Sequence, residues 1–141
     1  MQLRHVLTRL LLILALLPMT TLSATEYELR TIATGLDKPW SIAEVDENAF
    51  LVTEKGGRLI QLFKDGSITA IKGAPEVYFA SQGGLLEVLP DPGFSQNRTV
   101  YLSFSGGDKS ANRTTVMRAV LDGDTLTNPE TVLEVSPDKE G

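Results

Sequence analysis

The sequence predicts an all-β fold, a partial β-propeller of about two blades behind an N-terminal signal peptide. Three observations point there. Short apolar runs alternate with turns rich in Gly, Asp, Asn and Pro from Tyr27 onward. No stretch beyond the leader carries the apolar period of a helix. The second half of the chain repeats the order of elements in the first.

Residues 1–24 read as the leader. Arg4, His5 and Arg9 form a positive start, Leu10 to Leu17 is unbroken and apolar, and Pro18 breaks the run. Leu22-Ser23-Ala24 then offers a small residue for cleavage. The competing reading is a membrane anchor, but the run falls short of the ~20 residues a spanning helix needs. Cleavage leaves residues 25–141 as an exported chain, periplasmic or secreted, with no further membrane segment.

Removing the leader narrows the chemistry. His5 is the only histidine, and the chain has no cysteine. Residues 25–141 therefore offer no Ser-His pair, no thiol nucleophile, and no imidazole or thiolate metal site. They also carry no disulfide, although export leads to where disulfides persist. Losing Arg4 and Arg9 takes the formal net charge from −5 to −7. An acidic chain without a basic patch is not built for nucleic acid.

The elements follow in order. Tyr27 to Ala33 alternates like a strand. Ser41 to Val45 is a short strand stopped by Asp46-Glu47-Asn48, and Ala49 to Glu54 is a buried one. Gly56-Gly57 turns the chain into a strand over Arg58 to Phe63. Lys64-Asp65-Gly66 is a hairpin turn, because Asp-Gly accepts positive φ, and Ser67 to Ile71 returns as its partner. Gly84 to Leu89 opens the second set, with Pro90-Asp91-Pro92-Gly93 as its turn. Thr99 to Phe104 is a buried strand, Gly106 to Asn112 a polar loop, and Thr114 to Leu121 a strand. Asp122-Gly123-Asp124 is again a hairpin turn, and Thr131 to Val135 is the last strand.

The repeat gives the architecture. Trp40 corresponds to Gly84 or Leu85, Val52 to Leu102, and Asp65-Gly66 to Asp122-Gly123. A four-strand unit recurring at that spacing is the mark of a propeller blade, and a β-sandwich with chance similarity is the alternative. Propellers close with about 4–8 blades, so two blades leave faces and edges that a ring would cover. The expectation is an N-terminal piece of a larger protein, or the product of a truncated gene.

One segment asks for a function. In "FASQGGLLEVLPDPGF", Phe79–Phe94, a polar Gln82 expected to be buried precedes Gly83-Gly84 and an apolar strand. Paired glycines weaken strands, and one reason to keep them is close approach of another group to the backbone. The Gln82 amide can both donate and accept a hydrogen bond. The alternative is that Gln82 caps a loop backbone and the glycines serve the turn. Trp40 reads as a packing anchor, and Asp91-Pro92 with Phe94 as a turn and its apolar plug. Glu54 and Arg58 either pair across a turn or stay solvated. Asn97-Arg98-Thr99 and Asn112-Arg113-Thr114 match the glycosylation sequon, coincidentally if the source is bacterial. Asp122-Gly123-Asp124 is too short for a calcium loop, which needs about 12 residues.

Four runs in this order, "GLDKPWSIA" (Gly35–Ala43), "FLVTEKGGRL" (Phe50–Leu59), "QGGLLEVLPDPGF" (Gln82–Phe94) and "NRTVYLSFS" (Asn97–Ser105), resemble the N-terminal portion of the glucose/sorbosone dehydrogenase family. The resemblance covers the chain from Tyr27 to its end. It implies a six-bladed propeller similar to the soluble PQQ-dependent aldose sugar dehydrogenases. These oxidise a sugar at its C1 hydroxyl to the lactone, with hydride passing to the quinone. It implies that Gln82 lies at the mouth of a central funnel, facing sugar and cofactor, with Gly83 and Gly84 turning the chain beside the ligand. It also implies PQQ and calcium as cofactors and an aldose as partner.

The departures from that family matter as much. Its general-base His, the Asp that orients it, the cofactor-holding arginines and the calcium ligands belong to later blades. None of them is in this chain, so no catalytic residue and no metal ligand is assigned, and Gln82 alone is carried over. Asp46-Glu47-Asn48 also replaces the family's Pro-Asp-Gly-type turn, a local change. By itself the chain is expected to bind neither cofactor well and to be inactive. A second reading is a non-enzymatic exported propeller piece that binds a partner or assembles with itself. A lactonase-like propeller would need carboxylates and Asn around a metal, and these blades show no such cluster.

Overall fold

The computed structural model describes residues 26–139. The predicted leader lies outside them. The chain divides at Arg30, and the architecture below is that of Thr31 onward.

Eight strands form two separate four-stranded sheets, ordered β1-β2-β3-β4 and β5-β6-β7-β8. The first holds β1 (Pro39–Asp46), β2 (Ala49–Glu54), β3 (Arg58–Phe63) and β4 (Ile68–Ile71). The second holds β5 (Leu85–Pro90), β6 (Thr99–Gly107), β7 (Asn112–Asp122) and β8 (Thr125–Glu134). Every neighbouring pair is antiparallel and consecutive in sequence. Each sheet is thus a meander, and the two are blades of a β-propeller.

Side-chain alternation explains how the blades stack. Period two sends Leu51 and Leu59 to one face of the first blade, and Val52 and Ile60 to the other. Leu51, Leu59 and Ile71 join Leu85, Val88, Val100 and Leu102 in the core between the blades. Leu51, Leu59, Leu85 and Leu102 are completely buried, and each such burial contributes about 1.5–3 kcal/mol. The opposite face is covered differently. Val52, Ile60 and Leu62 pack with Ala33, Leu36 and Phe50.

Polar contacts fix the stacking at both ends. The Ser41 hydroxyl donates to Glu87 Oε1 at 2.7 Å, and the Thr53 hydroxyl to the Leu86 carbonyl at 2.5 Å. At the outer edge, Lys72 N–H donates to the Asp124 carbonyl and Leu126 N–H to the Lys72 carbonyl, both at 2.8 Å.

The structure corrects several expectations. Tyr27 to Ala33 forms no strand, and Tyr27 and Leu29 are exposed. Alternation supplies a face, but a strand also needs a partner ladder, and no described strand pairs with this segment. The polar loop at Gly106 is shorter than expected. Gly106 pairs with Arg113 and Gly107 with Asn112, which extends both strands. Asp108 closes the remaining turn by accepting from the Ser110 and Ala111 backbones. The last strand begins at Thr125, immediately after the Asp122-Gly123 turn. It tolerates Pro129 because it lies at the sheet edge.

One element was absent from the sequence reading, the single helical turn α1 (Phe94–Asn97). Asp91 Oδ1 accepts from Gly93 N–H and from the Asn97 amide, both at 2.8 Å. That brace drives Phe94 into the core as the anticipated plug. Trp40 is not a buried anchor. It is 48% exposed, because it lies on the blade face turned away from the inter-blade core, beside Leu36, Ile42 and Val52.

Candidate functional site

The segment from Tyr78 to Gly84 joins the two blades, running from β4 toward β5. Its backbone is tied at several points. Tyr78 N–H donates to the Ser105 carbonyl at 2.7 Å, and Gly83 N–H to the Ala80 carbonyl at 2.7 Å. Ser105 N–H donates back to the Gly84 carbonyl at 2.9 Å. Ser81 holds φ at 49°, a left-handed conformation uncommon for a residue with a side chain.

The glycine pair now has a physical cause. Gly84 sits at φ 137°, and a β-carbon there would overlap the Lys55 carbonyl oxygen. A β-carbon at Gly83 would come within 2.9 Å of the Tyr78 carbonyl and 3.0 Å of Ser105 Oγ. The group approaching this backbone is therefore the chain itself, not the ligand inferred from the sequence. The β2–β3 turn presses against the entry to β5, and Leu85 N–H donates to the Lys55 carbonyl at 3.0 Å.

Gln82 sits at the apex of this held segment. It is exposed, not buried as the sequence suggested, because the glycines take the crowded positions beside it. Its amide makes no hydrogen bond among the described residues, so it caps no loop backbone. It borders a groove of about 330 Å³ together with Tyr78, Ser105, Asn112 and Thr114.

Charges nearby are mostly engaged. Lys55 Nζ donates to the Ser81 carbonyl at 2.8 Å and lies 5.0 Å from the centre of the Trp40 ring. Lys38 Nζ lies 5.0 Å from the Phe79 ring. Glu54, at the end of β2, is buried. It accepts from Asp37 N–H at 2.8 Å and pairs with Arg58 at 3.2 Å, so the two residues do meet across the turn. Next to the groove wall, hydrogen bonds hold the Asp108 carboxyl below the ordinary aspartate range, first from the Ser110 hydroxyl and then from the Ser110 and Ala111 backbones.

This donor set has a clear chemical character. Amides and hydroxyls from Gln82, Ser105, Asn112 and Thr114 match sugar hydroxyls and carbonyl oxygens. They do not match the three carboxylates of pyrroloquinoline quinone, which call for guanidinium or ammonium partners. Among the described residues no three His, Cys, Asp or Glu side chains gather as a metal site. The groove offers binding groups, and no chemical step can be written through its residues alone.

Comparison with known proteins gives the family and the fold. The family model described as Glucose / Sorbosone dehydrogenase matches residues 36–141. An uncharacterized protein of Synechocystis, slr1608, is 39% identical over 117 residues, covering 76% of this chain and 28% of the relative. The aldose sugar dehydrogenase YliI of Escherichia coli is 39% identical over 72 residues, covering 50% of this chain and 19% of the relative. The PQQ-bound aldose sugar dehydrogenase of Streptomyces coelicolor superposes with a TM-score of 0.65 at 31% identity, covering 77% of this chain and 34% of that one. The chain spans about a third or less of the length of each of these proteins.

Proposed function

The chain belongs to the glucose/sorbosone dehydrogenase family, and from that premise we propose that it forms the N-terminal two blades of an exported PQQ-dependent aldose sugar dehydrogenase. When bound by the whole protein, PQQ would supply the two-electron acceptor for oxidation of a sugar C1 hydroxyl to the lactone. The cofactor supplies the redox chemistry, and the protein binds and orients. Among the described residues no helix is long and apolar enough to cross a membrane. Export rests on the reading of residues 1–24 as a leader.

One observation carries the role of these blades. Gln82 is exposed and its amide is without a described partner, yet the backbone that bears it is held on both sides. A polar side chain kept ready on a fixed loop suits a sugar hydroxyl or a quinone oxygen. Purified residues 25–141 with PQQ, calcium and glucose are expected to reduce no dye above blank, since they hold no histidine to serve as the general base. No feature of the described residues favours the self-assembling module over this reading.

A graft tests the positive half. Residues 36–141 would replace the matching region of the Streptomyces coelicolor aldose sugar dehydrogenase. The graft is expected to bind PQQ and oxidise aldose, with Gln82→Ala lowering kcat/KM by about tenfold, the scale of one lost hydrogen bond. A folded graft with full cofactor binding that ignores Gln82→Ala would overturn the reading.

A further inference from the structure

Resting on that reading of Gln82, we propose that Lys55 is the positioning residue of the Gln82 loop. One residue grips the loop from both sides. Its ammonium pairs with no carboxylate among the described residues and donates instead to the Ser81 carbonyl at 2.8 Å. Its own carbonyl accepts from Leu85 N–H at 3.0 Å and fills the space that a β-carbon at Gly84 would take. Gln82 and Gly83 are the residues bracketed between these anchors.

The side chain cannot swing freely. Lys55 Nζ lies 5.0 Å from the centre of the Trp40 ring, a cation–π distance. Lys55 N–H donates to the Lys38 carbonyl at 3.1 Å, which fixes the backbone from which the side chain extends. The bond to Ser81 falls on the one loop residue that holds positive φ without being glycine. A residue in that conformation relaxes unless its surroundings hold it. Lys55 is the side chain placed to do so. It makes no contact with the groove through its own charge, so its effect reaches a bound sugar or quinone only by way of Gln82.

The test uses Lys55→Met, which keeps the backbone carbonyl and the aliphatic stem, and Lys55→Arg, which restores a cation. Amide hydrogen exchange across Tyr78–Leu85 is read in the full chain and in the graft. In Lys55→Met the Gly83 amide is expected to exchange about tenfold faster, the scale of a lost charged hydrogen bond, with the melting temperature little changed. The graft is expected to lose about tenfold in kcat/KM, with no further loss when Gln82→Ala is added, because both changes remove the same interaction. Lys55→Arg is expected to restore both readouts. Unchanged exchange in Lys55→Met overturns the proposal. So does an unchanged kcat/KM in a graft that still responds to Gln82→Ala. Faster exchange in a graft indifferent to Gln82→Ala upholds the grip of Lys55 on the loop and overturns the reading of Gln82 instead.

Discussion

The carbonyl oxygen of Lys55 occupies the space that a β-carbon at Gly84 would fill. Gly84→Ala must therefore move the β2–β3 turn or the start of β5, and it also meets φ 137°. Both penalties act together, and the expected destabilisation is about 3 kcal/mol. Gly123 is the control. It sits at φ 58° with nothing near its would-be β-carbon, so Gly123→Ala meets backbone strain alone, about 1 kcal/mol. Urea denaturation of the two variants checks the difference. Equal losses would mean that the close approach carries no energy.

Glu54 is a buried carboxylate with two partners, Asp37 N–H and the Arg58 guanidinium. Glu54→Ala leaves the part-buried Asp37 N–H without its acceptor and removes the anchor that holds Asp37 to the end of β2. The expected loss is about 2–3 kcal/mol. Arg58 is half-exposed, so Arg58→Ala leaves Glu54 one partner and reach to water, at a cost of about 1 kcal/mol. Thermal melts of both variants test the ordering, which a purely surface ion pair would not produce.

Much of this fold is legible in the sequence because strands carry a period of two. Ala49 to Glu54 and Thr99 to Phe104 announce themselves, and Asp65-Gly66 and Asp122-Gly123 mark their hairpins. Period alone misleads at Tyr27 to Ala33, where alternation exists but no strand among the described residues pairs with it. The helical turn at Phe94 is too short to show an apolar period. Its signal is chemical, an Asp91 placed to brace Gly93 and Asn97. The site is the least legible part. Gly83-Gly84 reveals that something approaches, yet the approaching atom belongs to a turn in the other blade, a long-range contact that no local pattern carries. Lys55 looks like one residue of a glycine turn until the fold brings Ser81 to it.

Acid should weaken the turns together. Asp91 lies below the ordinary aspartate value of 3.8, held there first by the Asn97 amide and then by the Gly93 backbone. Asp65 and Asp108 are lowered chiefly by the Ser67 and Ser110 hydroxyls, and Asp124 by Lys72. A carboxyl whose folded pKa is depressed contributes stability that is complete above its unfolded value. That contribution is lost as pH falls through the folded value. The loss therefore begins near 3.8 and deepens below it. Asn97→Ala removes the largest cause at Asp91, and its carboxyl is expected to titrate closer to 3.8. A carbon-13 carboxyl titration reads this directly, and an unmoved Asp91 would remove Asn97 from the account.

The two blades are expected to unfold as one unit, because they share a single core. Leu51 comes from β2 of the first blade and Leu102 from β6 of the second, and both are completely buried in the same cluster. Leu51→Ala or Leu102→Ala alone leaves a cavity and is expected to destabilise by about 2–5 kcal/mol. If each blade stood alone, each loss would register only in its own blade, and two transitions would appear. A shared core predicts one transition for every variant, lowered in both single mutants. The double mutant adds a further test. Both residues belong to one packed cluster, so the combined loss is expected to depart from the sum by about 0.5 kcal/mol or more. Denaturation followed by Trp40 fluorescence reports on the first blade, and exchange across β6 and β7 reports on the second. Coincident midpoints from the two probes support the shared core. Separated midpoints would show that Lys72, Thr53 and Ser41 hold together two blades that melt independently.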